Sequence, residues 1–283
     1  MSIHGVLGET TSYPQSYAPQ VLFAISRNLG RDEIAKKSTT VGDLLAVGVD
    51  IWQAFELSWL DELGVSQMAV ARIAIPANSP NIVESKSLKL YLNSLNFSQF
   101  ADQNAVKRTI EQDLSACVGA AVSVQIEQLA TDCFDIVKPV GECIDDALVK
   151  AGQSVAIVDD VDASFLTDDK QGDNELSYCF YSNLLRSNCP VTNQPDWGTL
   201  QVSITTKHQL DYAKILSYVL SFRKHNGFHE QCVEQIFADL FERYQPSKLL
   251  VQANYTRRGG IDINPVRAFG VAVPTAIGRL VRQ

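Results

Sequence analysis

The run Ile51-Trp52-Gln53-Ala54-Phe55-Glu56-Leu57-Ser58-Trp59, the short segment Asp61-Glu62-Leu63-Gly64-Val65-Ser66 and the run Val70-Ala71-Arg72-Ile73-Ala74-Ile75 decide the architecture of this chain. Side chains alternate along an extended backbone, so Ile51, Gln53, Phe55, Leu57 and Trp59 share one face of a first strand. The last run has the same period, with Val70, Arg72 and Ala74 set against Ala71, Ile73 and Ile75 in a strand buried on one face. Gly64 suits a tight turn between them, which predicts a hairpin. The period then changes. Leu88, Tyr91, Leu92 and Leu95 recur at helical spacing, as do Val106, Ile110 and Leu114. Val122, Val124 and Ile126 alternate with polar residues, as in a strand exposed on one face.

The order strand, strand, helix, helix, strand then returns. Residues 175–186 read as a strand, and Leu200, Val202 and Ile204 alternate in the next. Tyr212, Ile215, Leu216, Val219 and Leu220 form one helical stripe, and Val233, Ile236, Phe237, Leu240 and Phe241 another. Val251, Ala253 and Tyr255 close the set as a strand. The repeat is one of element order, not of sequence. It predicts an α+β protein divided into an N-terminal extension (1–45), a first module (46–140), an acidic linker or excursion (141–174) and a second module (175–283). The extension, rich in Ser, Thr and Tyr, is expected to wrap over the rest. Residues 203–209 are expected in a turn between strand and helix.

Composition narrows the function. The 283 residues carry 24 basic and 32 acidic side chains, a net charge of −8. That argues against a dedicated nucleic-acid binder, which presents a basic surface. The apolar fraction of 46% suffices for a full core. The six cysteines (117, 133, 143, 179, 189 and 232) include no Cys-x-x-Cys pair to go with the one His-x-x-x-His spacing, His225 to His229, among the four histidines. No zinc site of the usual spacing is expected. Residues 1–13 lack a basic region followed by an apolar run, and no apolar stretch reaches the length of a membrane span. A cytoplasmic protein with reduced thiols is the expectation.

Four clusters can carry chemistry. In Ser187-Asn188-Cys189-Pro190-Val191-Thr192-Asn193-Gln194-Pro195-Asp196-Trp197, a thiol and a carboxylic acid stand seven residues apart in a segment held by two prolines. A thiolate is a nucleophile, and the group it attacks needs a proton donor nearby. Cys189 and Asp196 suit those roles; the alternative is a small buried hydrophobe. Phe228-His229-Glu230 opens the last helix, where free backbone donors and the dipole stabilise an anionic Glu230. It can accept from a bound heterocycle, or simply cap the helix. Glu84-Ser85-Lys86-Ser87-Leu88-Lys89 opens another helix, with Ser85 as candidate cap. Its lysines oppose the dipole, so an anion is a fitting partner; a solvated basic edge is the alternative. Tyr255-Thr256-Arg257-Arg258-Gly259-Gly260 suits an anion approaching exposed backbone, or a plain strand-ending turn. No Gly-x-Gly-x-x-Gly follows a strand, so a dinucleotide would not use a Rossmann crevice.

Taken together, these clusters resemble the NADPH-dependent 7-cyano-7-deazaguanine reductases, the nitrile reductases of queuosine biosynthesis. The strings that carry the resemblance run from Glu84 to Ser94, Ser187 to Pro190, Gln194 to Gly198, Phe228 to Glu234 and Tyr255 to Gly260. Asp50-Ile51-Trp52 and Asp262-Ile263-Asn264-Pro265 are similar to the family as well. The resemblance begins near residue 45 and is weaker in the acidic middle.

The resemblance implies two tandem tunnelling-fold modules, each an antiparallel sheet with a helix pair on one face, in the long form of the family. It implies that Cys189 adds to the nitrile carbon to give a thioimidate, with Asp196, kept protonated by burial, as proton donor. His229 is implied to assist proton transfer or to orient the substrate. Glu230 is implied to bind the guanine-like edge, and Glu84, with the Ile82 and Val83 backbone, the other side. Ser85, Lys86, Arg258 and Gly259 are the implied contacts of NADPH, a co-substrate that delivers two hydrides. No metal, membrane or direct nucleic-acid partner is implied, and a homodimer is expected. Cys232 is placed either in the helix core or near the pocket. The rival readings are a cyclohydrolase-like pterin or purine enzyme of the same fold, a non-enzymatic purine-binding module, and an enzyme acting directly on tRNA.

Overall fold

The computed structural model describes residues 13–37, 41–129, 136–167 and 170–283. Most of the N-terminal segment read for a leader and Cys133 lie outside the described residues. In chain order the elements are β1 (Ala24–Ser26), α1 (Asn28–Lys37), β2 (Gly48–Leu60), β3 (Ser66–Pro76), β4 (Asn81–Val83), α2 (Ser85–Leu95), α3 (Gln103–Val118), β5 (Ser123–Gln128), β6 (Glu142–Cys143), α4 (Ala147–Lys150), β7 (Gln171–Asn188), β8 (Pro195–His208), α5 (Tyr212–Ser221), α6 (His229–Tyr244), β9 (Lys248–Tyr255) and β10 (Ile261–Phe269). They form a mixed α/β structure with mainly antiparallel sheet. Two compact units divide the chain. One holds residues 1–29, 49–135 and 257–263; the other holds 30–48, 136–256 and 264–283. Among the described residues no helix is long and apolar enough to cross a membrane.

In the first unit β2 pairs with β3 and β3 with β5, all antiparallel. The hairpin turn forms as the sequence predicts. Asp61 Oδ1 accepts from the Leu63 and Val65 amides, and Gly64 takes the left-handed φ of +79° that the turn needs. The expected face of β2 is corrected. Trp52, Ala54, Leu57 and Trp59 enter the core together, whereas Ile51, Gln53 and Phe55 lie outside that cluster. A β-bulge between Ala54 and Leu57 is the cause: three steps on β2 oppose two on β3, and the alternation changes phase.

Helices α2 and α3 pack on this sheet through the stripes read from the sequence. The cap of α2 is Glu84 rather than Ser85. Its two carboxylate oxygens accept from the Lys86 and Ser87 amides at 2.9 and 2.7 Å. The Tyr91 hydroxyl donates to Asp113 on α3 at 2.6 Å and joins the helices. The N-terminal segment docks along α2 by its main chain. The amides of Tyr17, Ala18 and Phe23 donate to the hydroxyls of Ser98, Ser94 and Ser87. Behind it Arg27 and Asp50 form a buried ion pair at 2.6 Å.

The second unit repeats these devices. β7, β8, β9 and β10 pair antiparallel in that order, with the short β6 parallel to β7. A bulge between Ser182 and Leu185 of β7 matches the one in β2. Asp211 caps α5, and the Tyr218 hydroxyl donates to Asp239 on α6 at 2.6 Å. In both units the cap precedes the tyrosine by seven residues, and a serine three residues later donates back to the tyrosine carbonyl.

The boundaries differ from those expected. The acidic middle is packed rather than linking: Ile144, Leu148 and Leu166 are buried in the second core, and Asp159 and Asp160 pair with Lys224 and His225. Ile34, Val41 and Leu45 of the expected extension join the same core. Residues 203–208 continue β8 instead of turning, because the alternation holds: Val202, Ile204, Thr206 and His208 are buried while Ser203 and Lys207 are exposed.

Glu234 of α6 is buried between two arginines. Arg267, itself fully buried, reaches its Oε1 at 2.6 Å, and Arg31 reaches it at 2.7 Å. Glu234→Ala removes the buried carboxylate that both arginines share. The expected loss in urea unfolding is roughly 3–5 kcal/mol.

Candidate active site

The β7–β8 hairpin presents Cys189. Its amide donates to the Gln194 carbonyl, and its own carbonyl accepts from the Asn193 amide, both at 2.9 Å. Asn193 closes this small loop with a φ of +54°, a conformation asparagine tolerates better than most residues. The preceding residue, Asn188, is clamped from the other side. Its amide donates to the His225 carbonyl and its carbonyl accepts from Gly227. Cys189 therefore sits on a backbone fixed at both ends while its side chain remains only partly buried.

Asp196 stands opposite Ser187 in the hairpin register and is buried. Its Oδ2 lies 3.3 Å from His229 Nε2. His229 and Glu230 begin α6, as the sequence reading placed them. Gln231, the third residue of the helix, returns its side-chain oxygen to the Phe228 amide and fixes the chain's entry. Glu230 is 3% exposed in the first turn, where the helix dipole favours its anion. The His229 ring stacks on Tyr255, with centroids 3.8 Å apart and planes 8° from parallel. The second unit thus brings Asp196 and His229 into contact, with Cys189 and Glu230 on the same two elements that carry them.

Cys232 has no access. It is fully buried in the core beside Gly227, and burial pushes its thiol up to about 12. The Ser187 and Tyr255 hydroxyls face this thiol, although neither makes a hydrogen bond of good geometry. Of its two expected positions the structure gives the core one.

The first unit holds the remaining candidates. Ile82 and Val83 form β4, paired with Ile25 and Ala24 of β1. Glu84 follows, buried, with one backbone amide on each carboxylate oxygen. Each oxygen retains a second lone pair for another donor. Ser85 and Lys86 open α2. Lys86 and Gly259 line one cleft of about 490 Å³, together with Lys89, Asn93, Glu56 and Gly260. Arg258 and Ser85 are not among its walls, though Arg258 bonds Ile261 through its backbone in the turn that carries both glycines. Gly259 and Gly260 have φ of +59° and +74°. A side chain at Gly259 would press on the Lys89 stem, and one at Gly260 on the Glu56 carboxylate.

Residues 13–126 match the family described as nitrile reductase, 7-cyano-7-deazaguanine-reductase N-term, and residues 195–271 match one described as QueF-like protein. The NADPH-dependent 7-cyano-7-deazaguanine reductase of Psychrobacter arcticus is 57% identical over the whole of both chains. The chain belongs to the NADPH-dependent 7-cyano-7-deazaguanine reductase family. Reductases of the same name from Psychrobacter cryohalolentis (56% identical, full length of both) and Acinetobacter baumannii (48%, 98% of each chain) are similar too.

For a member of this reductase family, the sequence reading missed how the site is supported. The His229–Tyr255 stack, the Asn188 clamp and the capping role of Glu84 were not foreseen. Tyr255 stood inside a quoted motif, but nothing in one sequence says which ring it faces. Among the described residues no group of acidic, His and Cys side chains could hold a metal ion.

The two cysteines near the site should respond differently to iodoacetamide at pH 8. Peptide mapping is expected to find Cys189 alkylated and Cys232 untouched while the fold persists. Cys232 also has a pH signature. The unfolded thiol loses its proton near its ordinary value of 9.0 and the folded one only near 12. Between these values the unfolded chain binds fewer protons, so this group lowers stability as pH rises above 9.0. Cys232→Ala is expected to flatten the alkaline limb of a urea-stability profile.

Proposed function

We propose that this chain is an oxidoreductase that reduces the nitrile of 7-cyano-7-deazaguanine to the 7-aminomethyl group with NADPH, in queuosine biosynthesis. The observation that carries the reading is the β7–β8 hairpin: a partly exposed thiol on a clamped backbone, with a buried acid in contact with His229.

A nitrile carbon is an electrophile with no leaving group. The Cys189 thiolate adds to it, the carbon–sulfur bond forms, and nitrogen takes a proton from Asp196, giving a covalent thioimidate. Burial disfavours the Asp196 carboxylate and so favours the protonated donor. NADPH, when bound, supplies hydride, and the four-electron change from nitrile to primary amine takes two. Between the two deliveries Cys189 must leave as thiolate, so that the carbon passes through an imine. His229 assists proton movement or orients the base. Glu230 and Glu84, with the Ile82 and Val83 backbone, hold the guanine-like edges by accepting from its N–H groups.

The cleft on α2 fits a phosphate-bearing dinucleotide. Lys86 and Lys89 line it, and Gly259 and Gly260 bring bare backbone to its wall. Lys86 and Gly259 are the proposed contacts, with Ser85 and Arg258 beside them in the chain. No metal is assigned a role.

Each unit is proposed to be a tunnelling-fold module; the matched bulges, caps and Tyr–Asp locks support a repeat. β5 has one described strand partner and so presents an edge, which a second copy would cover in a homodimer. A free nucleobase, not nucleic acid, is the proposed substrate, in keeping with the net charge of −8. The proposed location is the cytoplasm.

Intact mass after mixing with 7-cyano-7-deazaguanine alone tests the reading. The parent should gain the mass of the nitrile and Cys189→Ala should not. Added NADPH should then discharge the adduct as amine. No adduct and no NADPH oxidation would remove the proposal. Asp196→Asn is expected to slow adduct formation by about a hundredfold or more.

A further inference from the structure

We infer that Tyr255 is a positioning residue whose ring, stacked face to face on His229, sets the plane in which the imidazole meets Asp196. The inference rests on the nitrile-reductase reading and concerns how its acid–base pair is held.

An imidazole has two nitrogens, and the hydrogen bond made by one normally fixes what the other can do. His229 lacks that support. Nε2 faces Asp196 at 3.3 Å, while Nδ1 is buried and has no hydrogen-bond partner among the described residues. A single long contact leaves the ring free to tilt about it. The stack removes that freedom. With centroids 3.8 Å apart and planes 8° from parallel, any tilt drives imidazole atoms into the phenol ring. Rotation within the plane stays open, and the Asp196 contact selects among those rotations. One interaction therefore sets the tilt and the other the turn.

Tyr255 can serve this way because it is hemmed in on several sides. It is fully buried at the end of β9. It pairs in register with Gly198, where a Cβ would come within 3.3 Å of its ring. The absence of a side chain at Gly198 makes room for the ring without slack. The Tyr255 carbonyl accepts from the Gln283 side chain at 3.1 Å. Its hydroxyl faces Ser187 and Cys232, and the proposed steps do not use it.

The positioning needs the ring and not the hydroxyl, so conservative replacement separates the two. The first readout is the rate of adduct formation on Cys189 with 7-cyano-7-deazaguanine and no NADPH. Tyr255→Phe should keep the parental rate. Tyr255→Leu should lower it by up to about a hundredfold, the scale of a misplaced catalytic group, with little change in the concentration of base that half-saturates the reaction. A Tyr255→Leu protein as fast as the parent overturns the proposal. So does a folded Tyr255→Phe protein as slow as Tyr255→Leu, because the hydroxyl would then be the active part.

The second readout does not depend on activity or on the survival of the leucine variant. Only four histidines are present, so the His229 carbon-bound protons can be assigned in a proton NMR spectrum by comparison with His229→Gln. Stacked on a phenol ring, they should lie upfield of the free-histidine position in the parent and in Tyr255→Phe. Signals at the free-histidine position in the parent overturn the stack itself. Failure of the parent to form an adduct at all is a different result: it removes the nitrile-reductase reading and leaves the NMR outcome to judge the stack.

Discussion

The register of the β7–β8 hairpin is the constraint on which the chemistry of the second unit depends. Strand side chains alternate with a period of two, so a slip of one residue would move every side chain to the opposite face. In the observed register Ser187 opposes Asp196 and Asn188 opposes Pro195. Asp196 therefore turns toward α6, where His229 is in reach, and Cys189 falls in the connecting loop. The bulge at Ser182–Leu185 is part of this setting. It absorbs one extra residue on β7 and brings Phe180 and Leu185 to the same core. Without it, either the core or the site would be out of phase.

Helix ends complete what the register begins. α6 starts with the two residues assigned to the substrate, and its third residue fixes the entry through the Phe228 amide. The 225–227 segment just before it bonds both backbone groups of Asn188. The start of the helix and the start of the Cys189 loop are thus one hydrogen-bonded unit, which ties the position of the thiol to that of the imidazole. In the first unit Glu84 has a double task. It caps α2 with both oxygens, and its remaining lone pairs are the ones proposed to meet the base.

Much of this was legible in the sequence, for identifiable reasons. The stripes of α2, α3, α5 and α6 and the alternation of β3, β5 and β8 are strong periodic signals, and they locate both cores. Cys189, Asp196, His229 and Glu230 stood out because of their chemistry and because their strings resemble one family. The failures are equally physical. The β2 face was misread because a bulge breaks the period, and one extra residue leaves no mark on composition. β10 was not read as a strand because Asp262, Asn264, Pro265 and Arg267 interrupt its apolar pattern. Yet Asp262, Asn264 and Arg267 are all buried, and Arg267 owes its place to Glu234 far away in the chain. The acidic middle looked like a linker because its charges hid the few apolar residues that anchor it.

The docking of residues 17–23 on α2 has a consequence for how sequence can vary here. Three of the donors are main-chain amides, which every residue except proline possesses, and their acceptors are serine hydroxyls, Ser87 and Ser94 on the helix and Ser98 just beyond it. In these three bonds the information is carried by the serines rather than by the segment. The main-chain bonds ask only that proline be avoided at Tyr17, Ala18 and Phe23, whereas Tyr17 also binds by its side chain, its hydroxyl donating to Asp113 at 2.7 Å, and Val21 and Leu22 pack on the first core. Two chains whose segments differ at Ala18 and Phe23 would share these main-chain bonds, and an alignment made on the segment alone would not show them.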